Sequence, residues 1–186
     1  MCGLVGVVSS KGFHDHKWLT YARKTLIHRG PDDHGEWWSQ DNRVGMAHNR
    51  LSIIDLSKSG HQPMHIANKG LSIIFNGEIY NFRELRQQLK LLGHSFFSQT
   101  DTEVLLIAYA EWGTDCLKYL NGAFAFALYD STKEKLFIAR DRVGEKPLFY
   151  RLDNKTLYFA SELKALLANQ SLPRKIDEES LDCYLS

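Results

Sequence analysis

The chain lacks an excess of either charge: 23 Lys and Arg stand against 22 Asp and Glu in 186 residues. Nucleic-acid and anionic-membrane surfaces select for a basic excess, so neither partner is expected. No apolar run is long enough to span a bilayer, and none resembles a secretory leader. Cysteine is scarce, and Cys2, Cys116 and Cys183 are odd in number and widely spaced. That argues against a disulfide framework and for a reducing, cytoplasmic setting. Cys-x-x-Cys is missing. His61 and His65 stand four apart, but Pro63 between them breaks the helix that a metal pair would need, and His14 and His16 read as a polar loop. No third ligand falls at metal spacing, so no metal site is expected. Repeats and low-complexity segments are also missing, and the length suffices for one domain with a sizeable core.

What is present is a strand-rich pattern. Gly3 to Val8 is an apolar, β-branched run that reads as a buried strand. Trp18, Leu19, Ala22 and Leu26 recur at helical spacing, and Gly30-Pro31 ends that helix. Residues 43–54 read as extended, Asp55 to Asn68 as loop, and Leu71 to Phe75 as a strand. Asn81 and Glu84 form a capping-box pattern ahead of a stripe of Phe82, Leu85, Leu89 and Leu92, stopped by Gly93. A third helix is expected from Thr102 to Trp112, stopped by Gly113. In the run Ala123 to Tyr129, Phe124, Phe126 and Leu128 share one face and three alanines the other, so both faces are covered. Short strands follow at 136–139, 148–150 and 156–159, too close together for parallel crossovers. Antiparallel strands buried on both faces, with helices in blocks, predict two packed sheets with helices outside. The tail from Ser171 to Ser186 is polar but ends on Leu181, Tyr184 and Leu185, read either as the start of another element or as a self-contained terminal helix.

Four positions carry chemistry. Cys2 follows the start methionine and reads either as a chance residue on a frayed terminus or, held by the strand that follows and with Met1 removed, as a thiol and a free α-amine on one residue. An α-amine titrates near ~7.7–8.0 and can serve as base for its own side chain. Asn76-Gly77 reads either as a tight hairpin turn or as an amide and a backbone N–H paired as an oxyanion hole. Arg50 in an extended stretch either snorkels to water or grips a carboxylate. Asp101 either caps a helix or binds an ammonium group.

Together these pieces resemble one family. Met1-Cys2-Gly3-Leu4-Val5-Gly6, His28-Arg29-Gly30-Pro31-Asp32-Asp33, Arg50 to Asp55, Gln62-Pro63-Met64, Phe75 to Asn81, Thr100-Asp101-Thr102-Glu103, Gly122 to Phe126, Arg140 to Leu148 and Ala160 to Lys164 are similar to the class II glutamine amidotransferase domain of glutamine-hydrolysing asparagine synthetases. The resemblance runs in order over roughly residues 1–170. It implies an N-terminal-nucleophile hydrolase fold, an α+β, four-layer α/β/β/α sandwich of two antiparallel sheets.

By the resemblance, Cys2 is the nucleophile and its α-amine the base, with Asn76 and Gly77 as the oxyanion hole. Arg50 holds the α-carboxylate of L-glutamine. Asp101, Gly77 and Glu78 surround its α-amine, and Leu51 and Ile53 form the wall beneath it. His28, Arg29, Gly30, Pro31 and Asp32 correspond to a flexible glutamine loop. The implied reaction hydrolyses glutamine to glutamate and ammonia through a cysteinyl thioester, without a cofactor in this domain. Full-length members continue into an ATP- and Mg-using synthetase domain with a Ser-Gly-Gly pyrophosphate loop, a motif that this sequence lacks. Residues 1–170 are therefore expected to form the glutaminase domain, and 171–186 a linker or the start of that missing domain. The partners implied are L-glutamine, a C-terminal synthetase domain or subunit, and a second copy in a homodimer. The ammonia acceptor is aspartate or another carboxylate, such as a sugar acid. The alternative is a non-catalytic module that keeps the fold and binds glutamine or a partner.

Overall fold

A computed structural model describes residues 1–13, 15–170 and 172–186. The readings placed on His14 and on the boundary at Ser171 lie outside the described residues. One antiparallel sheet has five strands: β1 (Gly3–Ser9), β2 (Asp33–Trp38), β3 (Val44–Arg50), β8 (Phe149–Asp153) and β9 (Thr156–Ala160), in the order β2-β3-β1-β9-β8. The other has four: β4 (Met64–Ile66), β5 (Leu71–Ile79), β6 (Gly122–Asp130) and β7 (Lys135–Arg140), in that order. The helices α1 (His16–Thr25) and α4 (Leu163–Leu167) cover the five-stranded sheet, and α2 (Phe82–Leu91) and α3 (Asp101–Trp112) belong to the other side of the sandwich. α5 (Glu178–Leu185) follows with no buried residue. The expected four-layer sandwich is observed.

Period-two alternation builds the layers. Leu4, Val44, Met46, Ile74, Ala125, Ala127 and Phe159 meet between the sheets. Val5, Val7 and Ala47 point the other way, onto Trp18, Leu19, Ala22 and Leu26 of the first helical segment. Phe124, Phe126 and Leu128 pack with Leu105 and Leu106 of α3. The alanines of β6 are what let the two sheets approach closely, while its phenylalanines fill the wider space under the helices.

Several readings need correction. The extended segment expected at 43–54 ends at Arg50, because Leu51 to Ile54 turn away over the end of the sandwich. The loop expected from Asp55 to Asn68 contains β4. β2 was not foreseen, since Asp33-His34-Gly35-Glu36 is polar, but it is an edge strand with one face toward solvent. Asn81 takes the N-cap position of α2 without a side-chain cap; its amide donates to the Tyr119 carbonyl and its oxygen accepts from the Asn121 N–H. His16 begins α1 rather than lying in a loop. Strand β5 continues through Asn76-Gly77 to Ile79, so that pair is neither a turn nor a strand end.

Candidate active site

Alternation along three strands directs the site. Arg50 shares the inward face of β3 with Val44 and Met46, and Asn76 shares that of β5 with Ile74. Cys2, one residue before β1, has the parity of inward-facing Leu4. All three side chains therefore open at the same end of the sandwich. They line a cleft of about 130 Å³ with Met1, Leu51, Ile53, Ile54, Gly60, Gln62, Gly77, Glu78, Asp101 and Lys146 among its walls. That is below the ~300–1,000 Å³ of drug-sized sites and suits a small molecule.

Cys2 is held from several sides. The Leu51 N–H points at its Sγ at 3.3 Å, and the Sγ lies 3.7 Å from the Leu51 carbonyl oxygen. Arg29 Nε donates to the Cys2 carbonyl at 2.8 Å, and Arg29 Nη1 is paired with Glu162 at 2.9 Å. Leu4, two residues on, exchanges hydrogen bonds with Ser161, its N–H to the hydroxyl at 3.1 Å and its carbonyl from the Ser161 N–H at 2.9 Å. Burial is the largest influence on the Cys2 thiol and raises its pKa above the ordinary value, outweighing the Leu51 N–H and the nearby positive charges. Such a thiol stays protonated at neutral pH until a base takes its proton.

Asn76 is 1% exposed, and its Nδ2 has no hydrogen-bond partner among the described residues. A buried donor left empty is costly, so its presence at a cleft marks a place for an acceptor. In an antiparallel strand alternate residues turn their N–H groups to opposite neighbours. On the side of β5 away from β6, the Phe75 N–H goes to Gln62 Oε1 at 2.7 Å and the Ile79 N–H to Asp101 Oδ2 at 3.0 Å. Gly77 lies between them on that same side and lines the cleft. A Cβ there would come within 2.3 Å of the Ala123 carbonyl oxygen, so only glycine fits against β6.

Two opposite charges sit further in. Arg50 is 6% exposed; its Nη1 donates to the Ser57 carbonyl at 2.9 Å and its Nη2 to the Asp55 carbonyl. Its guanidinium lies close against Gly60, where a Cβ would stand 2.0 Å from Nη2. Asp101 is the first residue of α3 rather than its cap, a role taken by Thr100, whose hydroxyl accepts the Glu103 N–H at 3.2 Å. Burial raises the Asp101 carboxyl to about 6, against the lowering effect of the Ile79 N–H.

The structure thus brings together Cys2, Arg50, Leu51, Ile53, Asn76, Gly77, Glu78 and Asp101. It does not bring His28, Arg29, Gly30, Pro31 or Asp32 into the cleft wall. That segment is fastened: His28 and Arg29 pair with Glu162, and Asp32 accepts the Ser52 N–H at 2.8 Å. The segment over the cleft is Leu51 to Asp55, which carries the exposed Ile53. Gly60, Gln62 and Lys146 were not foreseen as wall residues. For Gln62 the signal was the Gln62-Pro63-Met64 motif, noted without a role. Among the described residues no three His, Cys, Asp or Glu side chains converge to hold a metal ion, and no helix is long and apolar enough to cross a membrane.

The chain matches the glutamine amidotransferase domain family over residues 1–186. It is 42% identical over 185 residues to the glutamine-hydrolysing asparagine synthetase 3 of Bacillus subtilis, covering 97% of this chain and 30% of that protein. Asparagine synthetase 1 of the same organism is 40% identical over 190 residues, covering 100% of this chain and 29% of the relative. The chain thus spans about a third of the length of these curated relatives. Among solved structures, a glutamine phosphoribosylpyrophosphate amidotransferase from B. subtilis complexed with ADP and GMP superposes with a TM-score of 0.73 at 22% identity, covering 90% of this chain and 43% of the other. At that identity the likeness is one of fold.

Proposed function

The chain belongs to the glutamine amidotransferase domain family, and from that premise we propose that it hydrolyses the side-chain amide of L-glutamine at Cys2. Glutamine carries a carboxylate and an ammonium group on its α-carbon. Arg50 and Asp101 supply the complementary charges within one cleft. The Arg50 guanidinium has five N–H donors and shows two of them given to loop carbonyls, so donors remain for a carboxylate. The side-chain amide then lies toward Cys2, between Asn76 and Gly77.

With Met1 removed, the Cys2 α-amine accepts the thiol proton and the sulfur forms a bond to the amide carbon. The negative charge that develops on the carbonyl oxygen is met by Asn76 Nδ2–H and the Gly77 N–H. The C–N bond breaks, ammonia leaves with the proton returned by the amine, and a γ-glutamyl thioester remains. Water then adds to the thioester carbon and releases glutamate and the thiol. Burial of the thiol makes a resident base necessary, and the α-amine of the same residue, freed by loss of Met1, can serve. Leu51 and Ile53 form part of the wall, with Ile53 exposed.

The observation that carries this reading is the buried, partnerless Asn76 Nδ2 at the cleft that holds the Cys2 sulfur. Two coarser steps go with it. The ammonia supplies a synthetase domain or subunit, as the names of the glutamine-hydrolysing asparagine synthetases suggest; an ATP-dependent amidation of a carboxylate is what the family resemblance implies for that partner. The thiols of Cys2, Cys116 and Cys183 are all free, which suits a reducing cytoplasm. The test is ammonia release from glutamine by the wild type and by Cys2→Ala. Loss of release with retained folding supports the reading, and release by the alanine variant removes it. An electrophilic glutamine analogue should add one adduct at Cys2; a folded protein that binds glutamine yet is never modified would instead be a non-catalytic binder.

A further inference from the structure

β6 pairs with β5 on one edge, but on the other edge the backbone just ahead of Asn76 is held by side chains. β4 pairs with β5 only as far as Met64 opposite Ile73. Continuing that register would set Gln62 opposite Phe75, but the backbone ladder ends at Met64. The Gln62 side chain takes over: its Oε1 accepts the Phe75 N–H at 2.7 Å and its Nε2 donates to Thr102 Oγ1 at 3.3 Å on α3. The Phe75 carbonyl is taken by His48, from β3 of the opposite sheet, at 2.9 Å to Nε2. A carbonyl only accepts, so Nε2 carries the hydrogen and Nδ1 does not.

His48 is wholly buried and Gln62 is 4% exposed. Burial drives the His48 imidazole down to about 3, so it is neutral at any working pH. Its Nδ1 has no hydrogen-bond partner among the described residues. A neutral imidazole buried with one nitrogen unpaired is a poor stabiliser, since an apolar side chain of like size would bury no orphan acceptor. What the imidazole gives, and an apolar residue would not, is one N–H to one carbonyl. That carbonyl belongs to the peptide that bears the Asn76 nitrogen. Fixing the plane of that peptide fixes the direction in which the Asn76 side chain leaves the strand.

Resting on the amidotransferase reading above, we infer that His48 and Gln62 are positioning residues that clamp the Phe75 backbone from two sides and so aim the Asn76 amide at the developing oxyanion. Neither touches substrate in this role. Arg50 stands on β3, and Asp101 stands on α3 and meets β5 at Ile79 rather than at Phe75, so loss of the His48 contact falls on turnover rather than on affinity.

The test is a double-mutant cycle in glutamine hydrolysis. Asn76→Ala removes the donor itself and should lower kcat by ~10²–10³. His48→Leu should lower kcat by roughly 10-fold in the native background with KM changed less than about 3-fold, and by less than about 2-fold once Asn76 is alanine. His48→Gln, which returns an N–H near the Nε2 position, should recover most of the loss. If His48→Leu does not fold, Gln62→Met runs through the same cycle with the loss of kcat in the two Asn76 backgrounds as its readout, since Gln62 also bonds Thr102 beside Asp101 and can move KM. An equal loss of kcat in both Asn76 backgrounds, or a loss carried by KM in His48→Leu, overturns the inference while leaving the parent reading in place. Unchanged turnover in Asn76→Ala alone removes the parent reading and this one with it.

Discussion

Asp101 accepts the backbone N–H of Ile79 at 3.0 Å, so the first residue of one helix is fastened to the last residue of the strand that carries Asn76. One carboxylate oxygen is thereby occupied, and the group lines the cleft. Burial has raised its pKa from 3.8 to about 6. In the free protein Asp101 loses its charge as pH falls through that value, and with it the attraction for an ammonium group. The KM for glutamine is expected to rise below pH ~6 while staying flat above pH ~7. Initial-rate measurements from pH 5 to 8 check this; a KM that is flat across the range would contradict the ammonium-binding role.

The same burial predicts a trade between stability and binding. A carboxyl whose folded pKa lies above its unfolded value makes folding weaker above the folded pKa, because the charged form must be buried. The shift from 3.8 to about 6 corresponds to roughly 3 kcal/mol at neutral pH. Asp101→Asn keeps the acceptor for Ile79 and removes the charge. It should raise the Tm at pH 7.5, lose the advantage as pH falls from 6 toward 4, and abolish glutamine turnover. Thermal unfolding at the two pH values, compared with the wild type, decides it; a destabilised variant at pH 7.5 would count against the cost of the buried charge.

Gly60 is expected to set the seat of Arg50. A methyl group there would stand 2.0 Å from the guanidinium, which lies at the end of a flexible side chain and can shift. Gly60→Ala should therefore fold, displace the guanidinium and raise the KM for glutamine about 10-fold or more, with kcat changed less. Steady-state kinetics on the folded variant checks the split; an unchanged KM would show that Arg50 does not hold the substrate.

Glu162 is tied through Arg29 to the Cys2 carbonyl. Burial alone would raise its carboxyl, but hydrogen bonds from Arg29, Lys164 and His28 together pull it down to about 2. A depressed carboxyl adds stability that is present above its unfolded pKa of 4.5 and is lost as pH falls toward 2. Because the side chain is 24% exposed, about 1–2 kcal/mol is the expected size. Glu162→Gln should lower stability by that amount at pH 7, converge with the wild type near pH 2, and also slow turnover, since Arg29 holds the Cys2 carbonyl. Denaturant titrations across pH test the first part; a difference that persists at pH 2 would contradict the charge-pairing origin.

The layers of the fold were legible because alternation survives in sequence. Phe124, Phe126 and Leu128 against Ala123, Ala125 and Ala127 marked a strand covered on both faces, and it is one. The stripe of Trp18, Leu19, Ala22 and Leu26 packs on β1 and β3 as its spacing implies. Polarity hid β2, where an edge strand needs only one buried face. Local rules also misled at the site. Asn76-Gly77 looks like a turn, yet the Phe124 backbone packs against Gly77 and the strand runs on to Ile79. Asn81 looks like a capping box, but its side chain finds better use joining Tyr119 and Asn121. His48 and Gln62 were invisible as a pair, because their shared target is a backbone group that only the tertiary register brings between them.

The most direct measurement uses a chain with one alanine inserted between Met1 and Cys2. Intact mass establishes that Met1 is lost, leaving an alanine amine ahead of an internal cysteine, and ammonia release from glutamine is then assayed against the native start. If the nucleophile depends on the amine of its own residue, the native protein begins with Cys2 and turns over, while the extended protein folds and releases no ammonia. Equal turnover by the two, or full activity in native protein that still carries Met1, would contradict the mechanism.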